Sequence, residues 1–293
     1  MSSAERTLLL IDGTAMAYRA FYAIAELSRK DGTPTNAVYG FIKLFRNLVD
    51  TWKPTHAAVV FDKGMPQARL ELLPTYKAQR KEMPDSLRDQ IEAIKEYLDA
   101  ATVPCLFEEG EEADDILASL AAFGGSPASK VLIATSDKDM FQLVNDTCLI
   151  AAMTKAGVVM GAAEVKEKTG VEPRQIVDWL AMVGDTADNI PGVPGVGEKT
   201  AAKLMAQFGT IEQLWERIGE VASDRIRAAL LESRHIIERN RKMMTLKFDV
   251  NVPREWSLLE LKKPNPDRVL PFLDKMEFQG MARAMRDEAS KLF

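Results

Sequence analysis

Thr7-Leu8-Leu9-Leu10-Ile11-Asp12-Gly13 is an apolar run of strand length that ends on an aspartate and a glycine. The same form returns twice. His56–Phe61 is a second apolar run, followed by Asp62, and Val131–Ala134 is a third, leading into Thr135-Ser136-Asp137-Lys138-Asp139. Between these runs the apolar residues recur at helical spacing: through Tyr18, Phe21 and Tyr22, then over Ala37–Trp52, Leu87–Leu98 and Glu111–Phe123. Buried strands alternating with helices predict an α/β fold, a central, mostly parallel sheet flanked by helices. Such sheets bind their ligands at the carboxyl ends of the strands. Asp12, Asp62 and Asp137 all fall there. One aspartate after an apolar run means little; three on one sheet edge mean more.

The remaining chain divides unevenly. Short strands are expected at Val103–Phe107, Cys148–Ala151 and Val158–Met160, and Ile176–Val183 reads as a helix that delivers the chain to Asp185. Residues 64–86 are polar and broken by Pro66, Pro74 and Pro84, with Arg69, Lys77, Arg80 and Lys81 among them. Beyond Gly197 the pattern is mainly helical: Lys199–Phe208, Ile211–Arg217, Arg225–Met244 and Asp267–Met276, with a loop at Lys262-Lys263-Pro264-Asn265-Pro266. An α/β core over residues 1–185 and a helical region over 186–293 are the expected units.

With 293 residues, 46 % of them hydrophobic, the chain can bury a substantial core. No run of about 18 apolar residues suggests a membrane span, and the first residues lack the form of a secretion signal. Cys105 and Cys148 are isolated in apolar runs, which fits reduced, buried thiols in a cytoplasmic protein and argues against a disulfide or a zinc site. Two histidines leave little room for histidine-based chemistry. The net charge of −5 argues on its face against a nucleic-acid partner, but it is unevenly spread. Residues 1–189 hold 20 Lys/Arg against 28 Asp/Glu, and residues 190–293 hold 18 against 15.

Nine carboxylates account for the acidic excess: Asp12, Asp62, Glu112, Asp114, Asp115, Asp137, Asp139, Asp185 and Asp188. Glu112 and Asp115, three apart, share a helix face, while Asp114 points elsewhere around the turn. Acids also favour helix N-termini for dipole reasons alone, and a merely solvating surface would scatter them around helix faces. These gather at element ends instead. Two carboxylates about 4 Å apart repel by about 4 kcal/mol at an effective dielectric of 20. Converging nine of them requires cations, and oxygen-only donors select magnesium or manganese. Two such ions form a clamp suited to phosphodiester hydrolysis.

Asp185 and Asp188 stand just ahead of Gly192-Val193-Pro194-Gly195-Val196-Gly197-Glu198-Lys199-Thr200. This comes close to a P-loop, but Glu198 separates the last glycine from Lys199 and no apolar strand precedes it. A helix–hairpin–helix fits better. Small residues let the backbone approach DNA phosphates, and Lys199 and Lys203 lie on the helix that follows.

Asp12-Gly13-Thr14, Phe61-Asp62, Tyr76-Lys77-Ala78-Gln79-Arg80, Glu112-Ala113-Asp114-Asp115, Thr135-Ser136-Asp137-Lys138-Asp139 and Gly184-Asp185 with Asp188-Asn189-Ile190-Pro191-Gly192 occur in that order. This resembles the structure-specific 5′ nuclease family, the flap endonucleases, in its bacterial type. That type occurs as the N-terminal domain of DNA polymerase I or as a free-standing 5′-3′ exonuclease. The resemblance runs from about Leu8 to the region of Phe278. It implies a PIN-like core, a helical arch at about 64–98, and a helix–three-turn–helix element at about 189–209.

The resemblance also implies roles. Asp12, Asp62, Glu112 and Asp114 would serve a first Mg2+, with Asp114 reaching towards a second; Asp137, Asp139 and Asp185 would serve that second ion. Asp115 and Asp188 would act through water, Mn2+ would substitute, and K+ would sit at the helix–three-turn–helix. Lys77 and Arg80 would contact the scissile phosphate, Tyr76 would stack on a base and Arg19 would hold a phosphate. Gly192, Gly195, Gly197, Lys199, Thr200 and Lys203 would grip duplex DNA. The implied substrates are 5′ flaps, nicks and gaps, with RNA–DNA primer junctions, met by a monomer in the bacterial cytoplasm at the nucleoid. A polymerase domain would lie in the same or a separate chain. Ala68 replaces a frequent aromatic and Glu111 adds an acid beside Glu112. The rival reading is a catalytically silent DNA-junction binder of the same fold.

Overall fold

The structure is a computed structural model that describes residues 6–290. Six strands build one sheet: β1 (Arg6–Asp12), β2 (His56–Val60), β3 (Cys105–Leu106), β4 (Ser129–Ala134), β5 (Cys148–Ala151) and β6 (Val159–Met160). Their spatial order is β3-β2-β1-β4-β5-β6, parallel throughout except for β6. Chain order therefore reverses between β1 and β4. In open parallel sheets that reversal leaves a crevice beyond the strand ends. Asp12 closes β1 beside Val60, and Ile11 pairs with Ala134, so the segments carrying Asp62 and Asp137 start beside Asp12.

Both faces of the sheet are buried, as near-continuous apolar strands require. Leu8 and Leu10 of β1 face one core while Leu9 and Ile11 face the other. Helices α1 (Gly13–Ala23), α2 (Asn36–Trp52), α3 (Gln67–Leu72), α4 (Asp85–Ala100) and α5 (Ala113–Gly124) fill the first half of the chain. Helices α6 (Ala162–Thr169) and α7 (Ile176–Val183) lead to a two-residue ribbon of β7 (Gly184–Asp185) and β8 (Ile190–Pro191). Then come α8 (Glu198–Phe208), α9 (Ile211–Glu216), α10 (Asp224–Glu232), α11 (Arg234–Met244), α12 (Pro266–Lys275) and α13 (Gln279–Ser290). No helix among the described residues is long and apolar enough to cross a membrane.

Three sequence expectations change. The helix expected over Arg225–Met244 is two, because the backbone at Ser233 leaves helical geometry (φ −93, ψ 10), with neither glycine nor proline to mark the break. Residues 85–98, expected within an arch, are core: Leu87, Ile94 and Leu98 of α4 are fully buried with α2. That leaves residues 64–84 to cross the strand-end edge. Finally, the helical region over 186–293 is not one unit. Its helices α8 and α11 share a core with α5 and α7, whereas α12 and α13 return to the other face beside α2 and α4.

The turn between α7 and α8 is built on backbone contact. At Gly184 (φ +77) a Cβ would stand 2.4 Å from the Gly192 nitrogen, and at Gly192 it would stand 2.1 Å from the Val183 carbonyl oxygen. Only glycine allows the chain to cross itself here. Asn240 of α11, fully buried, ties the crossing down by donating to the Ala181 carbonyl at 3.0 Å and the Pro191 carbonyl at 2.8 Å. Replacing it leaves the buried Ala181 carbonyl and the part-buried Pro191 carbonyl without this donor. Asn240→Ala is expected to lower stability by about 1–3 kcal/mol, measured by urea unfolding. A change inside 0.5 kcal/mol, the range of an ordinary surface substitution, would show that the crossing stands without it.

Candidate active site

Asp12 is positioned by two elements at once. Its Oδ1 caps α1 by accepting from the Ala15 amide at 2.8 Å, and its Oδ2 accepts from the Thr135 hydroxyl, past the end of β4, at 3.1 Å. The same hydroxyl accepts from the Asp137 amide at 3.1 Å, so one threonine links the two edges of the crevice. Asp62 reaches the start of α5, accepting from the Ala113 amide at 2.9 Å, and its own amide donates to Thr14 Oγ1 at 3.1 Å. Asp137 accepts from the Asp139 amide at 2.9 Å, and Asp185 from the Ala187 amide at 2.8 Å.

Seven aspartates share this neighbourhood, and the titration of four of them registers it. Burial first, then Asp62 and Asp137, raises the Asp12 carboxyl to about 7. Burial followed by Asp137, Asp12, Asp62 and Asp139 raises Asp114 well above the carboxylate range. Asp137 is raised by burial and by Asp188 and Asp185, and Asp139 reaches about 8 through burial, Asp137 and Asp185. Lys138, 3.4 Å from Asp185, is the nearby counter-charge on that side. The Oδ1 of Asp139 is buried with no hydrogen-bond partner. Oxygen donors held close in this way, with an acceptor left unfilled, fit a hard divalent cation. As they stand, no three carboxylates among the described residues are drawn in tightly enough to hold one ion.

Glu112 and Asp115 face elsewhere. Arg69 of α3, 7 % exposed, grips Asp115 with two guanidinium nitrogens, at 2.7 and 3.0 Å. It also pairs with Glu112 and donates to the Met243 carbonyl at 2.9 Å. Asp115 also accepts from the Lys247 amide at 2.9 Å. Fully buried and held by two guanidinium nitrogens, it stands apart from the seven aspartates, on the face of α5 that meets Arg69. Burial pushes Glu112 up, but Lys77 and Arg69 outweigh it and hold the carboxyl below its ordinary value. The shared face expected of Glu112 and Asp115 is therefore present, and it meets Arg69, while Asp114 is the member of that turn directed at the other aspartates.

The basic segment is latched to the far side of the site. The Lys77 amide (φ +56) donates to the Asp188 carbonyl at 2.9 Å, and Asn189 Nδ2 donates to the Thr75 carbonyl at 2.7 Å. Lys77 Nζ pairs with Glu112 and lies 3.9 Å from Asp188, with which the exposed Arg80 also pairs. Tyr76, expected to stack on a base, has its ring 5 % exposed here, with its hydroxyl within hydrogen-bond reach of Glu112 at 3.0 Å and of Asp188 at 3.1 Å. Arg19 lies exposed on α1. Gly192, Gly195 (φ +80) and Gly197 form the turn into α8, Thr200 lies half-buried in its first turn, and Lys199 and Lys203 are exposed four residues apart. Arg69, Thr14, Thr135 and Lys138 were not singled out from sequence. Arg69 carried a signal, the one basic residue between Lys63 and Lys77, set beside Ala68, Leu70 and Leu72, but nothing marked which carboxylates it would meet.

Two family models match the chain. The 5′-3′ exonuclease N-terminal resolvase-like domain matches residues 7–170, and the 5′-3′ exonuclease C-terminal SAM fold matches residues 171–267. The chain belongs to the 5′-3′ exonuclease family. Within this family it is 34 % identical over 288 residues to the 5′-3′ exonuclease of Aquifex aeolicus, covering 98 % of this chain and 96 % of that one. It is 36 % identical over 291 residues to DNA polymerase I of Bacillus subtilis, covering 98 % of this chain but 33 % of the polymerase. The chain thus spans about a third of the length of the DNA polymerase I relatives it matches. Among solved structures, the T5 5′-exonuclease with divalent metal ions (zinc) bound superposes with a TM-score of 0.70 at 25 % identity, covering 82 % of this chain and 89 % of that one. The catalytic core of Rad2 in complex with DNA substrate shares the fold, with a TM-score of 0.62 at 16 % identity over 94 % and 88 % of the two chains.

In this exonuclease-family chain the Arg69 pairings generate a direct test. Removing the guanidinium leaves Glu112 and Asp115 buried without their cation, and breaking a buried pair from one side costs about 3–5 kcal/mol. Arg69→Ala should therefore lower the urea midpoint sharply, and Asp115→Asn in the same background should recover part of the loss. Strict additivity of the two changes would show that the residues do not act as a pair.

Proposed function

We propose that the chain is a divalent-metal-dependent 5′-3′ exonuclease and 5′-flap endonuclease that hydrolyses phosphodiesters at DNA flaps, nicks and gaps. The observation that carries this reading is the set of aspartates massed at the strand ends, with an unfilled acceptor on Asp139, beneath a latched basic segment. Such massing costs stability and is retained where cations are bound and used.

Asp12, Asp62 and Asp114 would hold one Mg2+ and Asp137, Asp139 and Asp185 a second, with Asp188 contributing through water. Glu112 joins the first group once Lys77 releases it, whereas Asp115 serves by fixing Arg69. When bound, the two ions supply the activated nucleophile and stabilise the charge on the leaving oxygen. Lys77 and Arg80 hold the scissile phosphate against the aspartates, exchanging their present carboxylate partners for it. Thr135 keeps Asp12 aligned across the crevice. The backbone amides entering α8, with Lys199 and Lys203, take duplex phosphates and read no sequence. Selection is by structure. Phosphate-dominated contact also suits the more basic half of the chain.

A labelled 5′-flap duplex should be cut in Mg2+ or Mn2+ and left intact in chelator. Asp12→Asn and Asp137→Asn should abolish cutting while flap binding persists. Flap binding by the wild-type chain with no cutting in either metal would sink the enzyme reading in favour of a silent junction binder. Separately, Lys199→Ala and Lys203→Ala should each weaken duplex binding and flatten the log–log salt dependence by about one unit. Unchanged salt slopes in both would place the duplex elsewhere.

A further inference from the structure

A cavity of about 620 Å³ lies between α2, α4, α13 and the 261–266 segment. It opens at the amino-terminal end of the sheet: Val103 precedes β3, and the Leu261 amide donates to the Thr55 carbonyl just before β2, at 3.0 Å. The aspartates occupy the opposite, carboxyl-terminal end, so this cavity is no part of the site described above. Its body is apolar, formed by Val49, Val103, Leu261 and Met285 among others. Sites for small organic ligands are typically concave, mainly apolar and of roughly 300–1,000 Å³, with a few placed polar groups.

Tyr97, 3 % exposed, adds its ring to the apolar wall. The mouth, moreover, carries Lys262 and Lys263, both exposed and free of ion pairs among the described residues. Arg46 lies there too, already 3.7 Å from Glu288. The single unpaired carboxylate of the lining is Asp50. Apolar depth and two unpaired ammonium groups at the lip match an amphipathic anion, with tail inward and charge outward.

We propose that this cavity is a binding site for an amphipathic monoanion, an apolar chain or ring bearing one carboxylate, separate from the nuclease site. Titration calorimetry with decanoate, and with decanol as the uncharged counterpart, tests it on the whole chain. Decanoate should bind with one-to-one stoichiometry and more tightly than decanol. Lys262→Ala together with Lys263→Ala should weaken decanoate about tenfold and leave decanol unchanged. Val49→Trp, which fills the cavity, should abolish both, with thermal unfolding used to confirm that the variant is folded. Should Val49→Trp not fold, Met285→Trp, from the opposite wall, provides the second test and should likewise abolish binding of both ligands. Absence of binding, several weak sites per chain, or equal affinity for decanoate and decanol would each overturn the proposal.

Discussion

Like charges repel, and this chain places seven aspartates around one crevice. Everything near the strand ends answers that constraint. Backbone amides and one hydroxyl take some of the load at Asp12, Asp62, Asp137 and Asp185. Arg69 removes Glu112 and Asp115 from the crowd, and Lys77 and Arg80 lean in from the basic segment. What is left uncompensated is Asp12, Asp114, Asp137 and Asp139, whose carboxyls sit above their ordinary range because burial and one another disfavour ionisation. The fold can hold this arrangement because the sheet beneath it is rigid, buried on both faces and parallel, so its strand ends open on the same side.

The second constraint is geometric. The basic segment does not hang free over the crevice; it is hydrogen-bonded to the Asp185–Asn189 turn through Lys77 and Thr75. That turn in turn is fixed to α7 and α11 by the Gly184–Gly192 crossing and by Asn240. Acid cluster, basic cover and α8 turn are thus three consecutive parts of one rigid path. Grip and attack, adjacent in sequence, are joined in space by the backbone crossing and by the side-chain amides of Asn189 and Asn240.

How much of this was legible in the sequence depended on the physical signal. Strand-length apolar runs and the aspartates that end them were readable, because a doubly buried parallel strand leaves a continuous apolar signature; β5 is found at Cys148–Ala151 as read. The helix of α7 likewise matches its periodicity at Ile176–Val183. The return of α12 and α13 to the far face was not readable, since helical spacing, with only Met281, Ala282 and Met285 buried in α13, does not say which face of the sheet a helix covers. The burial of Tyr76 and Arg69 was also hidden. Both lie in a proline-broken polar stretch, and only tertiary contact with Glu112 and Asp115 takes them out of water. Nor could spacing tell which carboxylates turn inward: Asp114 and Asp115 are adjacent, and a 100° step around the helix sends one to the aspartates and its neighbour to an arginine.

The Gly184–Gly192 crossing has a consequence for tolerance to change. Where two segments touch through bare backbone, there is no side chain to repack and no cavity to shrink, so the separation between them has a single value. Elsewhere a substitution can be absorbed by rotamer shifts a few tenths of an ångström at a time. Here it cannot be absorbed in part. The spacing between the aspartates and the turn into α8 is kept whole or lost altogether, much as the pitch of a screw is set by its thread and not by the force applied to it.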